Sequence, residues 1–308
     1  MAGDESGCVV VVNPESGGGN DDISTIRELA TEYGFELVVS ESADEPVSLT
    51  REAIEAGATR IGACGGDGTV NEVVRGIDEA EAFESTTLGV IPAGTGNNFA
   101  ENIGIEGVKH GFELLAAGKT RRIDLGIADE TLFVNSCVCG LTADASEATS
   151  AGLKGRFGEL AYVLKTIERM TDFEPIPLHV HAEKGEKIWE GNAMFALIGN
   201  ARRFPAGGSQ QANVEDGLFE VTIIEDVSTG QLVRETATRR LLGGEVSSIH
   251  RLTASSLSVE VRREKPVSFS FDGEIASFTQ LSCRVLPRTL AVRVGEGYKP
   301  VPPEPKGV

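Results

Sequence analysis

Arg60-Ile61-Gly62-Ala63-Cys64-Gly65-Gly66-Asp67-Gly68-Thr69-Val70-Asn71-Glu72-Val73 joins a short apolar run, a glycine-rich turn and the start of a helical pattern. Arg60 to Cys64 reads as a strand, and Asn71 to Ile77 as a helix. A strand that feeds a helix through glycines is half of a β-α-β unit. The same rhythm extends to both sides. Cys8 to Val12 is a continuous β-branched run, of the kind buried in a parallel sheet. Asp21 to Tyr33 places Ile23, Ile26, Leu29 and Ala30 on one helical face. Glu36 to Ser40 reads as a strand, and Pro46 to Ala56 as a helix with proline near its first turn. Thr87 to Ile91 is a further strand, ending at Pro92-Ala93-Gly94-Thr95-Gly96. The pattern predicts an α/β fold with a doubly wound parallel sheet over residues 1–123.

From Ile123 onward strands dominate: 123–128, 132–138, 176–181, 194–198, 219–224, 256–261, 267–271 and 280–285. Helical stretches interrupt them at Gly158 to Thr171 and Thr229 to Leu242. Antiparallel strands joined by polar turns predict a β-rich, sandwich-like second domain over 124–288. Leu290 to Val294 is expected to return to the first domain, so 289–308 is assigned there. The tail from Val301, with three prolines, is expected to be loose.

The chain has 308 residues, 40% apolar and 24% charged, the composition of a folded protein of about two domains. Lys and Arg number 28 against 47 Asp and Glu, for a formal charge of −19. That balance argues against nucleic acid as a partner, which needs clustered cations. It fits a high-salt cytoplasm, where the Debye length falls to about 3 Å at 1 M, and it equally fits an ordinary acidic protein. No apolar run is long enough for a spanning helix. The polar start, Met1 to Gly7, is not the pattern of a signal peptide. Five cysteines without a C-x-x-C pair argue against a disulfide framework or zinc ribbon and fit a reducing cytoplasm.

Three glycine-bearing segments each follow a predicted strand: Asn13 to Gly19, Gly65 to Thr69, and Pro92 to Asn98. The carboxyl ends of strands in an open parallel sheet face one crevice. Glycine permits close backbone approach, and a helix start offers N–H groups to anions. Thr69 and Thr95 add hydroxyl donors. Any one segment is readily a tight turn. Three in a βα rhythm read as a nucleotide-phosphate site. Neither a Walker A signature nor a G-x-G-x-x-G fingerprint is present.

Gly65-Gly66-Asp67-Gly68-Thr69-Val70-Asn71-Glu72-Val73 resembles the signature loop of the diacylglycerol kinase and sphingosine kinase catalytic family. Asn13-Pro14-x-Ser16-Gly17 resembles that family's first loop, and Pro92-Ala93-Gly94-Thr95-Gly96-Asn97-Asn98-Phe99-Ala100 its third. Arg122-Ile123-Asp124, Gly155-x-x-Gly158-Glu159-Leu160-Ala161-Tyr162, Asp216-Gly217-Leu218 and Asp272-Gly273-Glu274 follow in the family's order. The resemblance spans about residues 8–294 and implies an ATP-dependent kinase acting on a lipid hydroxyl, with the site between an α/β nucleotide domain and a β-rich lipid domain. It implies ATP contacts at Asn13, Pro14, Glu15, Ser16, Gly17, Gly65, Gly66, Asp67, Gly68, Thr69, Val70, Asn71 and Thr95, and a weaker one at Ser40. The lipid would be diacylglycerol or a related, even ether-linked, lipid. Cytoplasmic residence with transient membrane docking follows, and a homodimer is compatible.

Phosphoryl transfer needs Mg²⁺ and a carboxylate that orients the attacking hydroxyl. The resemblance places the general base in Asp272-Gly273-Glu274, at Glu274 or Asp272. If the run Val267 to Phe271 continued as a strand, residues i and i+2 would put both carboxylates on one face. The competing reading is a hairpin turn at Asp272-Gly273. A structural Mg²⁺ is implied at Asp216, with Asn213 and Leu218 contributing backbone oxygens, and an all-oxygen set suits that ion. Asp124 belongs either to the catalytic carboxylates or to a strand turn. Three positions depart from the family pattern: Asn98 where Asp is usual, Gly18 where a basic residue is frequent, and Leu141-Thr142-Ala143. An NAD kinase, or a nucleotide-binding relative without kinase activity, remains as an alternative. His179 and His181 share a strand face but lack a third ligand nearby in sequence, so a solvated face is expected. Cys137, Cys139 and Trp189 are expected in the core. Arg202 and Arg203 are either anion contacts or surface residues.

Overall fold

A computed structural model describes residues 7–14, 20–42, 44–94, 96–140, 174–182, 185–203, 211–226 and 247–301. The expected helices at 158–171 and 229–242, residues Gly18 and Leu141 to Ala143, and the tail beyond Val301 lie outside them. The chain divides into two compact units, Met1–Leu125 with Pro287–Pro300, and a second whose body is Gly126–Leu286.

In the first unit, β1 (Cys8–Val12), α1 (Asn20–Tyr33), β2 (Glu36–Val39), α2 (Glu45–Glu55), β3 (Arg60–Gly65), α3 (Asp67–Glu79) and β4 (Thr87–Pro92) alternate as the pattern predicts. Strands β4, β3, β1 and β2 lie side by side in that order, all parallel. Every residue of β1 is buried, which is what its β-branched run requires. Burial also pushes the Cys8 thiol up to about 11, so it sits in this core as a neutral apolar group. Two helices were not anticipated, α4 (Asn98–Asn102) and α5 (Val108–Ala117). Phe112 and Leu115 of α5 are fully buried in the sheet's core with Val10, Ile26 and Ile91. Glycines make that docking close: a Cβ on Gly89 would stand 2.6 Å from Leu115 Cδ1. The strand β5 (Lys119–Ala128) then carries the chain into the second unit.

The second unit holds β6 (Thr131–Phe133), β7 (Ser136–Cys139), β8 (Ile176–Ala182), β9 (Lys187–Gly199), β10 (Phe219–Glu225), β11 (Ile249–Ala254), β12 (Ser256–Val261), β13 (Val267–Phe271), β14 (Glu274–Phe278) and the long β15 (Gln280–Val294). Its pairings are all antiparallel: β14-β13-β7-β9-β8-β12-β15, with β10 on β9 and β11 on β10. The core gathers Phe133, Phe219, Phe269 and Phe271 with Cys137, Cys139 and Trp189, as expected of the last three. The expected strand 132–138 divides into β6 and β7. The amides of Val134, Asn135 and Ser136 turn instead toward the Asp272 carboxylate. Strands β11 and β14 were missed. The expected segments 280–285 and 290–294 form one strand, and its end, Ala291 and Val292, returns to pair in parallel with Thr87 and Leu88 of β4.

Helices α2 and α3 pack through Gly76, where a Cβ would meet Val47 O and Thr50 Cβ, both at 2.6 Å. Gly76→Ala is therefore expected to destabilise the fold. Overpacking costs about 1–3 kcal/mol, against a helix-propensity gain of about 1 kcal/mol. Urea denaturation of the variant should show a lower midpoint.

Candidate functional site

The carboxyl ends of β2, β1, β3 and β4 sit in a row, and the chain reverses direction across the sheet between β1 and β3. Loops leaving a sheet on either side of such a reversal open a crevice. Asn13 leaves β1 there, its N–H donating to Cys64 O at 3.1 Å, and Pro14 beside it is exposed. Glu15, Ser16, Gly17 and Thr95 lie outside the described residues. Ser40 is buried, and its N–H and Oγ both donate to Val12 O, at 2.9 and 3.1 Å. Its hydroxyl thus ties the sheet edge together.

Gly65 ends β3, Gly66 is the extended N-cap of α3, and Asp67, Gly68 and Thr69 form the first helical turn. The helix begins four residues earlier than the periodicity indicates, because glycine and aspartate near a helix start are weak as periodic signals. Among the described residues no side chain caps this end, so its N–H groups suit an anion. Thr69 and Asn71 are buried, and Thr69 Oγ1 and Asn71 Oδ1 lack hydrogen-bond partners among the described residues. A Cβ on Gly66 would be 3.1 Å from Gly96 O. That close approach is closed by the Asp67 N–H, which donates to the same oxygen at 3.2 Å.

Asp67 holds the second and third glycine segments together. Its carboxylate accepts the N–H of Asn98 at 3.0 Å, the side-chain amide of Asn98 at 2.8 Å and the N–H of Phe99 at 2.9 Å. It thereby caps α4. Asn97, which the sequence did not single out, clamps the third segment from within. Its Nδ2 donates to Gly94 O at 2.8 Å, and its Oδ1 accepts the Gly94 N–H at 3.2 Å. Asp124 is buried within β5 and accepts the Arg288 N–H at 2.7 Å. Arg122 beside it donates to Arg288 O and Thr289 O.

In the second unit the strand premise for Asp272 and Glu274 fails. β13 stops at Phe271, and Asp272 and Gly273 take positive φ, +50° and +111°, as a two-residue hairpin turn into β14. Glu274 pairs across the turn with Phe271 and is exposed. Both oxygens of Asp272 are occupied. Oδ2 accepts the N–H of Val134 at 2.6 Å, and Oδ1 that of Ser136 at 2.8 Å. Asn135 N–H lies within 3.1 Å of both. Asp216 Oδ1 accepts the Leu218 N–H at 3.0 Å, and Asn213 Oδ1 accepts the Glu215 N–H at 3.0 Å. Partial burial raises the Asp216 carboxyl above its ordinary value, against the opposing pull of that amide. Arg203 is buried, so the simple surface reading fails for it.

Residues 7–128 match the diacylglycerol kinase catalytic domain, and residues 135–294 match the YegS C-terminal NAD kinase beta sandwich-like domain. The "Probable lipid kinase YegS-like" of Enterobacter sp. (strain 638) is 31% identical over 249 residues, covering 79% of this chain and 80% of that relative. This chain belongs to the YegS-like lipid kinase family. The "Probable lipid kinase YegS" of Escherichia coli O127:H6 is 29% identical over 256 residues, 81% of this chain and 83% of that one. The crystal structure of a diacylglycerol kinase from Bacillus anthracis str. Sterne has the same fold, with a TM-score of 0.69 at 19% identity over 95% of this chain and 98% of that one.

Within this lipid kinase fold, the Asn98 amide is a donor placed against the Asp67 carboxylate. A second carboxylate at this position would replace the hydrogen bond with like-charge repulsion, which a divalent cation relieves. Asn98→Asp is therefore expected to lower stability by about 2 kcal/mol in metal-free buffer. Added Mg²⁺ should recover most of the loss, read as the shift of the denaturation midpoint.

Proposed function

We propose that this chain transfers the γ-phosphate of ATP to a hydroxyl of a lipid such as diacylglycerol or a related ether lipid, with Mg²⁺. The observation that carries this reading is the N-terminus of α3 at the sheet's reversal, which no side chain among the described residues caps, with Gly66 letting the Gly96 carbonyl of the third segment come close. Asn13 and the turn Gly65 to Asn71 are the residues assigned to the nucleotide, with Thr95 from the third segment. The buried hydroxyl of Ser40 argues against a direct contact there. Asp216, with backbone oxygens of Asn213 and Leu218, is assigned a structural Mg²⁺. The Mg²⁺ that accompanies a nucleotide would neutralise charge on the phosphate oxygens.

Glu274 is assigned as general base and Asp272 as the residue that positions it. Asp272's lone pairs are committed to three backbone amides, whereas Glu274 is exposed on the far side of the turn. Glu274 takes the proton of the lipid hydroxyl, whose oxygen bonds to the γ-phosphorus as the bond to the β,γ-bridging oxygen breaks. ADP leaves and the lipid phosphate remains. Among the described residues no helix is long and apolar enough to cross a membrane, and a cytoplasmic protein that docks transiently on lipid is the matching habit. Its charge of −19 disfavours anionic bilayers unless salt screens it.

The test is transfer of radiolabel from γ-labelled ATP into a chloroform-extractable pool at low and high salt. Glu274→Gln should lower kcat by about 10²–10⁴ and leave ATP binding intact. Asp272→Ala should instead destabilise the protein by about 3 kcal/mol, since it leaves three amides without their charged acceptor. ATP binding with no labelled lipid from the wild type would favour a non-catalytic relative, the reading that Asn98 supports.

A further inference from the structure

Three strands of the second unit, β9, β8 and β12, place their outward side chains in one row. His179 on β8 is in register with Glu190 on β9 and with Glu260 on β12. His181 lies two residues on and so shares the face of His179, the ring centroids 6.1 Å apart. The ligand atoms of His179, His181 and Glu260 all fall within 4.8 Å of one another. His179 Nε2 is 3.4 Å from Glu190 Oε2, and His179 Nδ1 is 3.9 Å from Glu260 Oε2. Sequence spacing showed the two histidines but could not supply a third ligand, because Glu260 lies some eighty positions away along the chain.

We propose that His179, His181 and Glu260 bind a divalent transition metal of the Zn²⁺ class. Two imidazoles and a carboxylate are the donor set that selects zinc and its neighbours over Mg²⁺ and Ca²⁺. Three protein ligands leave one tetrahedral position for water. Glu190 completes the arrangement. A histidine ligand usually presents its second ring nitrogen to a carboxylate, which orients the ring, and Glu190 stands at that nitrogen of His179.

The nearby cations leave this set intact. Lys187 holds Glu190 at 2.6 Å, and Arg262 holds Glu260 through Oε1 at 2.6 Å, leaving Oε2 toward His179. The five cysteines, the usual competitors for zinc, are all buried. A metal here would staple β8 to β12.

The probe is Zn²⁺ titrated by calorimetry into the whole chain in excess Mg²⁺, which saturates oxygen-only sites. One equivalent is expected to bind the wild type and raise its thermal midpoint. His179→Gln and His181→Gln should each weaken binding by about tenfold or more. His110→Gln and His250→Gln, the other two histidines, should leave it unchanged. Co²⁺ substitution should give visible absorption of tetrahedral strength that the His179 variant lacks. Because both histidine side chains are only partly buried, circular dichroism of the variants should match the wild type. Equal Zn²⁺ affinity in the wild type and the His179 and His181 variants would overturn the site, as would loss of binding in the His250 variant alone. Neither outcome bears on lipid phosphorylation, which is measured separately.

Discussion

One carboxylate, that of Asp67, receives three hydrogen bonds from Asn98 and Phe99, and the glycine-rich end of the first unit is arranged around it. The parallel sheet brings the ends of β3 and β4 side by side, but adjacency alone leaves two glycine-rich segments without conformational restraint. Glycine loses more backbone entropy on ordering than any other residue. Charge-assisted hydrogen bonds, about twice as strong as neutral ones, offset that loss. Asp67 thus opens one helix, caps a second and fixes the spacing between the segments assigned to phosphate.

The second unit repeats the device with different residues. Asp272 sits at positive φ in a hairpin turn and receives the amides of Val134, Asn135 and Ser136, which interrupt what would otherwise be one strand. In both units a short acidic side chain organises backbone donors that have left the regular ladder. An Asp-Gly pair in sequence signals a turn, and it carries no information on which distant amides will meet the carboxylate. On the proposed reading Asp272 is the positioning residue and the neighbouring Glu274, which is exposed, is the base.

The βα rhythm was legible because its signals are local. The all-apolar run at 8–12, the periodic face of 21–33 and the glycine turn after Cys64 each report on their own segment. Helix α5 escaped notice because its contact face uses Gly111 beside Phe112 and Leu115, so close approach replaces apolar bulk at one of its positions. Strand β11 alternates half-buried with exposed residues and shows almost no hydrophobic contrast. The start of α3 was hidden by glycine and aspartate, which carry little hydrophobic signal.

From the sequence alone followed the α/β class, the β-rich second half, the order of the glycine segments and the acidic character of the surface. All of these depend on composition and on spacing within a few residues. The tertiary structure alone decided which side chains meet. It turned the Ser40 hydroxyl into the sheet, put Asn98 on Asp67, and set Asp272 on three backbone amides with Glu274 exposed beside it. It also set Glu260 beside His179. Those outcomes depend on strand register and on hydrogen bonds between residues far apart in the chain, and a linear pattern does not encode the register of a pairing it has not yet made.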